Sequence, residues 1–129
     1  MQTRDQKYAE DVYKRVTDIK QTQDRGLATS YGSLAHKLPI LIHTAGLAQA
    51  LAFVASRGKE GSEQLLTDLS KTVLNPTASA NDFLACSRES SLREYIYLTK
   101  QTLAALLWYK RYAQSVLDVQ EDTDRGSER

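Results

Sequence analysis

The stretch YGSLAHKLPILIHTAGLAQALAFV, residues 31–54, decides the fold of this chain. Turned at 100° per residue, its apolar side chains line up on two sides of a helix, so that little of the helix surface is polar. A helix that is apolar nearly all round is buried among other helices. Pro39 stands inside the stretch. Because proline in a helix interior costs about 3 kcal/mol, we expect the helix to start or break there.

Helical periodicity extends to the beginning and the end of the chain. Thr3 and Gln6 form a capping box, which predicts a first helix that reaches about Gln21. Ser91 opens another capping box and a long last helix that ends near Leu117, roughly 39 Å away. No strand-like alternation persists, so these patterns predict helices alone.

The remaining segments predict shorter helices and a tail. Gly26 is expected in the loop after the first helix, whereas Ser62 and Ser79 are expected to cap two further helices. The predicted fold class is all-α, a compact bundle of about four to six helices with a long C-terminal helix. We expect a single helical domain over residues 1–117. Residues 118–129 are charged and lack periodic apolar residues, which predicts a disordered tail.

Composition limits the classes of function. Hydrophobic residues make up 41% of the chain and charged residues 26%, which is typical of a globular domain. The formal net charge is only +1, so any contact with nucleic acid must come from local patches or from a surface shared with partners. The single cysteine, Cys86, excludes an internal disulfide. The sequence shows neither a signal peptide nor a membrane-spanning apolar run, which predicts a cytoplasmic chain without membrane contact.

The two histidines, His36 and His43, are the first candidates for chemistry. On one unbroken helix they would stand about 10 Å apart, too far to bind one metal ion together. No nucleophile–base or nucleotide-binding motif accompanies them. The sequence therefore predicts no catalytic residue, no metal site and no cofactor, and Cys86 is interpreted as a small core residue. A small nuclease that uses His36 or His43 stays open as an alternative.

The last helix carries two contrasting faces. The predicted core face consists of Leu92, Tyr95, Ile96, Leu103, Leu106, Leu107, Ala113 and Leu117. The opposite face interleaves cations with aromatic residues, chiefly Tyr97, Lys100, Trp108 and Arg111. Such a face suits a nucleic-acid backbone, a protein partner that covers the tryptophan, or plain solvation. Lys110 falls on the apolar side, where it either reaches outward to water or marks a face open to a partner.

Three stretches of the chain, taken together, resemble a known family. They are TRDQKYAEDVY (residues 3–13), LPILIHTAGLAQALAFVASRGK (residues 38–59) and YIYLTKQTLAALLWYKRYAQSVL (residues 95–117). In this order they are similar to the small helical subunit of the Cmr complex, the type III-B CRISPR RNA-guided effector. The resemblance implies a non-catalytic module, present in several copies, that stacks beside the guide-RNA backbone, lines the target-RNA channel and contacts other Cmr subunits.

From the resemblance and the charge pattern we predict electrostatic contact with target RNA and with the guide-RNA ribonucleoprotein, and association with neighbouring copies of the chain. The candidate nucleic-acid-binding residues are Arg4, Lys14, Arg15, His36, Lys37, Lys100 and Arg111. The candidate partner-interface residues are Tyr97, Trp108 and Lys110. The alternative is a helical protein–protein adaptor without nucleic-acid contact, in which Trp108 is the interface anchor.

Overall fold

The computed structural model describes residues 1–121, which form six α-helices and no strand. In chain order the helices are α1 (Arg4–Gln21), α2 (Arg25–Ala45), α3 (Leu47–Arg57), α4 (Glu60–Val73), α5 (Ala80–Glu89) and α6 (Leu92–Ser115). The prediction of an all-α bundle with a long C-terminal helix is confirmed.

The predicted N-caps set three of the helix starts. Thr3 caps α1, Ser79 caps α5 and Ser91 caps α6, and in each case the residue three positions later returns the hydrogen bond to the cap. These reciprocal bonds satisfy two backbone N–H groups that a helix otherwise leaves without a partner. Local sequence is therefore sufficient to place these helix starts.

Two other predicted boundaries are wrong. Asp24 caps α2 by accepting a 3.0 Å hydrogen bond from the Leu27 backbone N–H, so that Gly26 lies in the first turn of α2 and not in a loop. The helix α4 begins at Glu60, and Ser62 is buried within it. The helix α4 therefore begins three residues earlier than a Ser62 cap predicts, and α2 already includes Gly26, because an aspartate cap or packing on a neighbouring helix stabilises the extra residues.

The predicted break at Pro39 is wrong as well. The helix α2 runs through Pro39 to Ala45, and the chain turns at Gly46, where φ is +88°. Proline removes one N–H donor, but Leu38 and Ile42 on either side of it are buried against the rest of the bundle. Packing therefore holds the helix together at Pro39. The turn falls on the residue without a Cβ, which adopts a positive φ at little cost.

The helices α2 and α6 form the centre of the bundle. The helix α6 packs against α1, α2 and α4, while α3 and α5 pack against each other and against α4. The largest fully buried side chains include Tyr31, Leu38, Leu51, Leu65, Leu69, Phe83, Leu106 and Tyr109. The core is thus continuous through all six helices, with tyrosines at its centre.

Asp68 of α4 is a buried carboxylate that accepts hydrogen bonds from two side chains. The Tyr31 hydroxyl donates to Asp68 Oδ2 at 2.6 Å and the Gln64 amide donates to Oδ1 at 3.0 Å. Burial raises the pKa of Asp68, although these hydrogen bonds act in the opposite direction. The carboxylate is tolerated in the core because its oxygens have partners.

A second, partly buried set of hydrogen bonds joins α1, α4 and α6. The Thr72 hydroxyl lies 2.7 Å from Asp11 Oδ2 and 2.7 Å from the Tyr109 hydroxyl. Since the hydroxyl of Thr72 donates to the carboxylate, that of Tyr109 donates to Thr72 Oγ1. Burial raises the pKa of Tyr109 well above its ordinary value, which keeps this donor protonated.

The chain after α6 stays on the bundle for several residues. Val119 is buried against α2 at Gly32, where an added Cβ would lie 2.7 Å from Val119 Cβ. The Val119 carbonyl lies 2.9 Å from His36 Nε2. The beginning of the segment expected to be a disordered tail is therefore packed, and its remainder, residues 122–129, lies outside the described residues.

Candidate functional site

The orientation of α6 differs from the sequence prediction. Its buried residues are Leu98, Thr102, Ala105, Leu106, Tyr109 and Ala113. Of the predicted core face, Leu106, Ala113 and Leu117 are buried as expected, and Tyr95 and Leu103 are partly buried against the core. The other three residues, Leu92, Ile96 and Leu107, are exposed by 75%, 48% and 47%. The predicted core face is therefore wrong for these three residues, and the centre of the buried side lies further round the helix.

The reason is that α6 carries two apolar stripes. The buried stripe includes two hydroxyl residues that both have partners, since Thr102 donates to the Leu98 carbonyl at 2.7 Å and Tyr109 bonds Thr72. Its alanines allow close approach of neighbouring helices. The buried stripe can be recognised in the sequence by the spacing i, i+7, i+8, i+11 and i+15 that starts at Leu98. The second stripe is richer in leucine, so hydrophobicity alone favours it as the core face.

As a result, the solvent side of α6 mixes leucines with cations. We define the outer face of α6 by six exposed residues, Leu92, Arg93, Ile96, Lys100, Leu107 and Arg111. They recur at spacings of three, four and seven residues, which places them along one side of the helix. The face combines apolar area with three positive charges, and these belong to the same surface although the sequence assigned them to opposite ones.

The predicted interface aromatics divide into two environments. Tyr97 is 56% exposed and remains available to a partner. Trp108 is only partly exposed, because its indole Nε1 donates to Asp5 Oδ1 of α1 at 2.9 Å and its ring lies 5.7 Å from that of Tyr112. Trp108 thus joins α1 to α6, and this intramolecular role accounts for the tryptophan without an external partner.

Of the candidate cations on α1, two are exposed and one is occupied. Lys14 is exposed, and Arg4 is exposed with its guanidinium carbon 5.8 Å from the centre of the Tyr8 ring. Arg15 donates two hydrogen bonds, of 2.9 and 3.2 Å, to the carboxylate of Asp11. Burial lowers the pKa of Arg15, but the hydrogen bonds to Asp11 and the charges of Asp11 and Asp68 act together in the opposite direction and raise it overall. The guanidinium of Arg15 is therefore already paired within α1.

The two histidines lie in different surroundings. His36 is only 2% exposed and binds the Val119 carbonyl, so it cannot reach an RNA phosphate in this fold. The structure contradicts its prediction as a nucleic-acid-binding residue. His43 and Lys37 are exposed on α2. Burial of His36 also argues against a nuclease in which both imidazoles contact substrate.

The sequence left two alternatives for Lys110, a side chain that reaches outward to water or one on a face open to a partner. The structure places it partly exposed and beside a carboxylate. Its ammonium lies 3.4 Å from Glu121 Oε1, and about a third of the side chain is exposed. The lysine therefore reaches outward along the helix and meets a carboxylate of the packed C-terminal segment. An exposed pair of this kind contributes little to stability.

Within residues 1–121, no three histidine, cysteine, aspartate or glutamate side chains cluster in a way that would hold a metal ion. Cys86 is partly buried on α5, 3.7 Å from the Ser90 hydroxyl. None of the helices described is both long and apolar enough to cross a membrane. The exposed surface, above all the outer face of α6, is the candidate site.

Fold and surface together define a class, a small all-α bundle whose candidate site is the exposed side of a long helix. The family of the CRISPR-associated protein Cas_Cmr5 matches residues 4–116, and the chain belongs to this family. The CRISPR system Cmr subunit Cmr5 of Thermus thermophilus is 39% identical over 118 residues, which cover 92% of this chain and 99% of that protein.

A solved structure agrees with the sequence match. The X-ray crystal structure of a CRISPR-associated Cmr5 family protein from Thermus thermophilus is similar to this fold with a TM-score of 0.80 and 40% identity, over 90% of this chain and 98% of that chain. The resemblance to the small Cmr subunit, drawn from three stretches of sequence, is confirmed.

Proposed function

We propose that the chain is a non-catalytic small subunit of a type III-B CRISPR ribonucleoprotein effector in the cytoplasm. In this proposal several copies stack beside the subunits that hold the guide RNA, and together they line the path of the target RNA. Membership of the Cmr5 family supports the assembly. The outer face of α6, which offers leucines and cations together, is the observation that carries the proposed role of this chain in it.

Exposed leucines and exposed cations suit different contacts. Leu92, Ile96 and Leu107 offer apolar area that a protein neighbour would remove from water, at about 25 cal/mol per Å². Lys100 and Arg111 offer charges to phosphates. A subunit that sits between protein neighbours and an RNA strand uses both kinds of contact.

The RNA contact that we propose is electrostatic and carries no base-specific code. Phosphate contacts position a strand and are insensitive to its sequence, as a channel for varied targets requires. The net charge of +1 fits a module that contributes one wall of a channel and leaves the remaining charge to other subunits. Arg4 and Lys14 on α1 and Lys37 on α2 are the other exposed candidates.

Charge reversal on α6 tests the proposed RNA contact. In the assembled complex, the double variant Lys100→Glu and Arg111→Glu should bind target RNA several-fold more weakly. The slope of log affinity against log salt should become shallower by about 0.7 for each single-strand phosphate contact that is lost. The measurement is a titration of labelled target RNA at several salt concentrations.

The matched control reverses two exposed cations elsewhere, Lys20→Glu and Arg88→Glu. It changes the net charge by the same amount, so it reports any effect of charge alone. If both double variants lowered the affinity and the salt slope equally, or if neither did, α6 would not contact the target RNA.

The alternative of an adaptor without RNA contact draws on the same exposed leucines. Tagged protein, isolated from its host with and without nuclease treatment, distinguishes the two functions. Recovery of guide RNA in the untreated sample supports the effector subunit. Recovery of the same protein partners in both samples, with no RNA in either, supports the adaptor.

A further inference from the structure

A groove on the opposite side of α2 from the core is not used by the proposed function. It has a volume of about 760 Å³ and lies between α2 on one side and α3 with the start of α4 on the other. Its floor is apolar and includes Leu34, Leu41 and Val54. Ile40 is 60% exposed and Phe53 is 48% exposed along it, so about half of each side chain is left uncovered by the rest of residues 1–121.

The charges around the groove are all of one sign. Arg25, Lys37, Arg57 and Lys59 line it, whereas no aspartate or glutamate of the described residues does. Arg25 donates to the Asp118 carbonyl at 3.0 Å and is partly occupied. The other three form no ion pair within residues 1–121. A low-dielectric cleft with charges of one sign concentrates the field and attracts ligands of the opposite sign.

The groove also has the dimensions of a secondary-structure element. Its lining on α2 extends from Arg25 to Thr44, which is roughly 28 Å of helix at 1.5 Å per residue. An amphipathic helix binds such a groove by placing residues i, i+3, i+4 and i+7 on the apolar floor. The flanks of that helix then face the rim of the groove.

We propose that this groove binds an amphipathic helix with acidic flanks, supplied by a partner protein. Apolar side chains of the helix would cover Ile40 and Phe53, and its carboxylates would face Lys37, Arg57 and Lys59. Charge complementarity selects the partner and its orientation, and the apolar floor supplies the affinity. The inference goes beyond the proposed function and does not depend on it, because Lys100 and Arg111 do not line the groove.

A helix fits the lining better than a nucleic-acid strand does. Bases bind by stacking on aromatic rings, and Phe53 is the sole aromatic residue among the described residues that line the groove. The Arg57 guanidinium already lies 5.4 Å from the centre of that ring. Hydroxyl residues such as Thr29 and Ser33 also line the groove, but its floor of Leu34, Leu41 and Val54 offers no hydrogen bond to sugars or phosphates and matches the apolar side of a helix.

A designed peptide tests this assignment with the full chain. The probe is a fluorescent 18-residue helical peptide with leucine at alternating third and fourth positions, glutamate at the positions that flank the leucines and alanine elsewhere. Two comparison peptides are used: one with the same residues in scrambled order, the other with lysine in place of glutamate. We expect binding of the acidic amphipathic peptide by fluorescence anisotropy and weak binding of both comparison peptides.

Variants of exposed residues locate the binding on the protein. Lys37→Glu with Arg57→Glu should weaken peptide binding at least about tenfold, since rim charges of the wrong sign repel the peptide. Phe53→Ser should also weaken it. The matched controls on α6, Lys100→Glu with Arg111→Glu and Leu107→Ser, should leave the affinity unchanged within about twofold.

Four outcomes would overturn the proposal. They are failure of the acidic amphipathic peptide to bind, equal binding of either comparison peptide, equal loss of binding in the α6 controls, and tighter binding of an 18-nucleotide single-stranded RNA that the Lys37→Glu and Arg57→Glu changes abolish. The last of these would assign the groove to nucleic acid. None of them bears on the target-RNA titration of the α6 variants, so the two proposals stand or fall separately.

Discussion

The inner and outer sides of α6 reverse the usual distribution of residue types. The inner side buries a threonine and a tyrosine completely, whereas the outer side exposes Leu92, Ile96 and Leu107. Both sides belong to one continuous helix with one cap and one backbone geometry. The difference therefore comes from what each side meets in the fold.

On the inner side, each hydroxyl has a partner within the protein, and the residues between them are small enough for close packing. A buried hydroxyl with a partner costs little, whereas one without a partner costs several kcal/mol. On the outer side, no part of residues 1–121 covers the leucines. The inner side is thus complete within the chain, whereas the outer side leaves apolar area exposed to water. Exposed apolar area of this kind is typical of a subunit that packs against a partner.

The largest expected effect comes from truncating one residue on each side. Tyr109→Ala should lower the free energy of unfolding by about 3–5 kcal/mol, because it leaves a cavity in a fully buried site and removes a partner of Thr72. Leu107→Ala, about 3 Å away along the same helix, should change it by less than about 0.5 kcal/mol. Urea denaturation of the two variants makes the comparison. Equal losses would mean that Leu107 is buried in solution, through self-association or otherwise.

Much of this fold follows from sequence alone. The capping boxes at Thr3, Ser79 and Ser91 predict three helix starts because a cap is a local bond between residues three positions apart. The turn at Gly46 and the passage of α2 through Pro39 do not follow in this way. They depend on the packing of α2 against α4 and α6, which is not encoded in neighbouring residues.

The candidate site was predicted less completely than the fold. Lys100 and Arg111 were found because a charge at helical spacing marks an exposed side. The leucines beside them were assigned to the core, since hydrophobicity cannot distinguish a buried stripe from one that awaits a partner. Burial of His36 escaped prediction because Val119, its hydrogen-bond partner, lies 83 positions away.

A smaller effect is expected when only the hydroxyl groups on the two sides are removed. Tyr109→Phe should cost about 1 kcal/mol, since it removes the donor to Thr72 and keeps the ring in place. Tyr97→Phe serves as the matched control at an exposed position, where water replaces the lost bond and little change is expected. The measurement is again the free energy of unfolding. A loss at Tyr97 as large as that at Tyr109 would contradict the assignment of Tyr109 to the buried network.

The smallest expected effect is a dependence of stability on pH, which comes from the buried carboxyl group of Asp68 on α4. Burial raises the pKa of Asp68, so the folded chain holds this proton more tightly than the unfolded chain, whose aspartates have a pKa of about 3.9. The stability that the proton contributes is present below that pH and is lost as pH rises through the raised pKa of the folded state. Asp68→Asn removes this titration and leaves those of the other carboxylates.

The difference in unfolding free energy, wild type minus Asp68→Asn, should therefore decrease as pH rises from about 3.9 and become constant above the raised pKa. Urea denaturation at a series of pH values measures it. Tyr31→Phe provides the second arm, because the Tyr31 hydroxyl lowers the pKa of Asp68 by donating to its carboxylate. In that background the decrease should extend to higher pH. A difference that is constant across the series, or that increases with pH, would contradict a raised pKa. It would show that water reaches Asp68 in the folded chain.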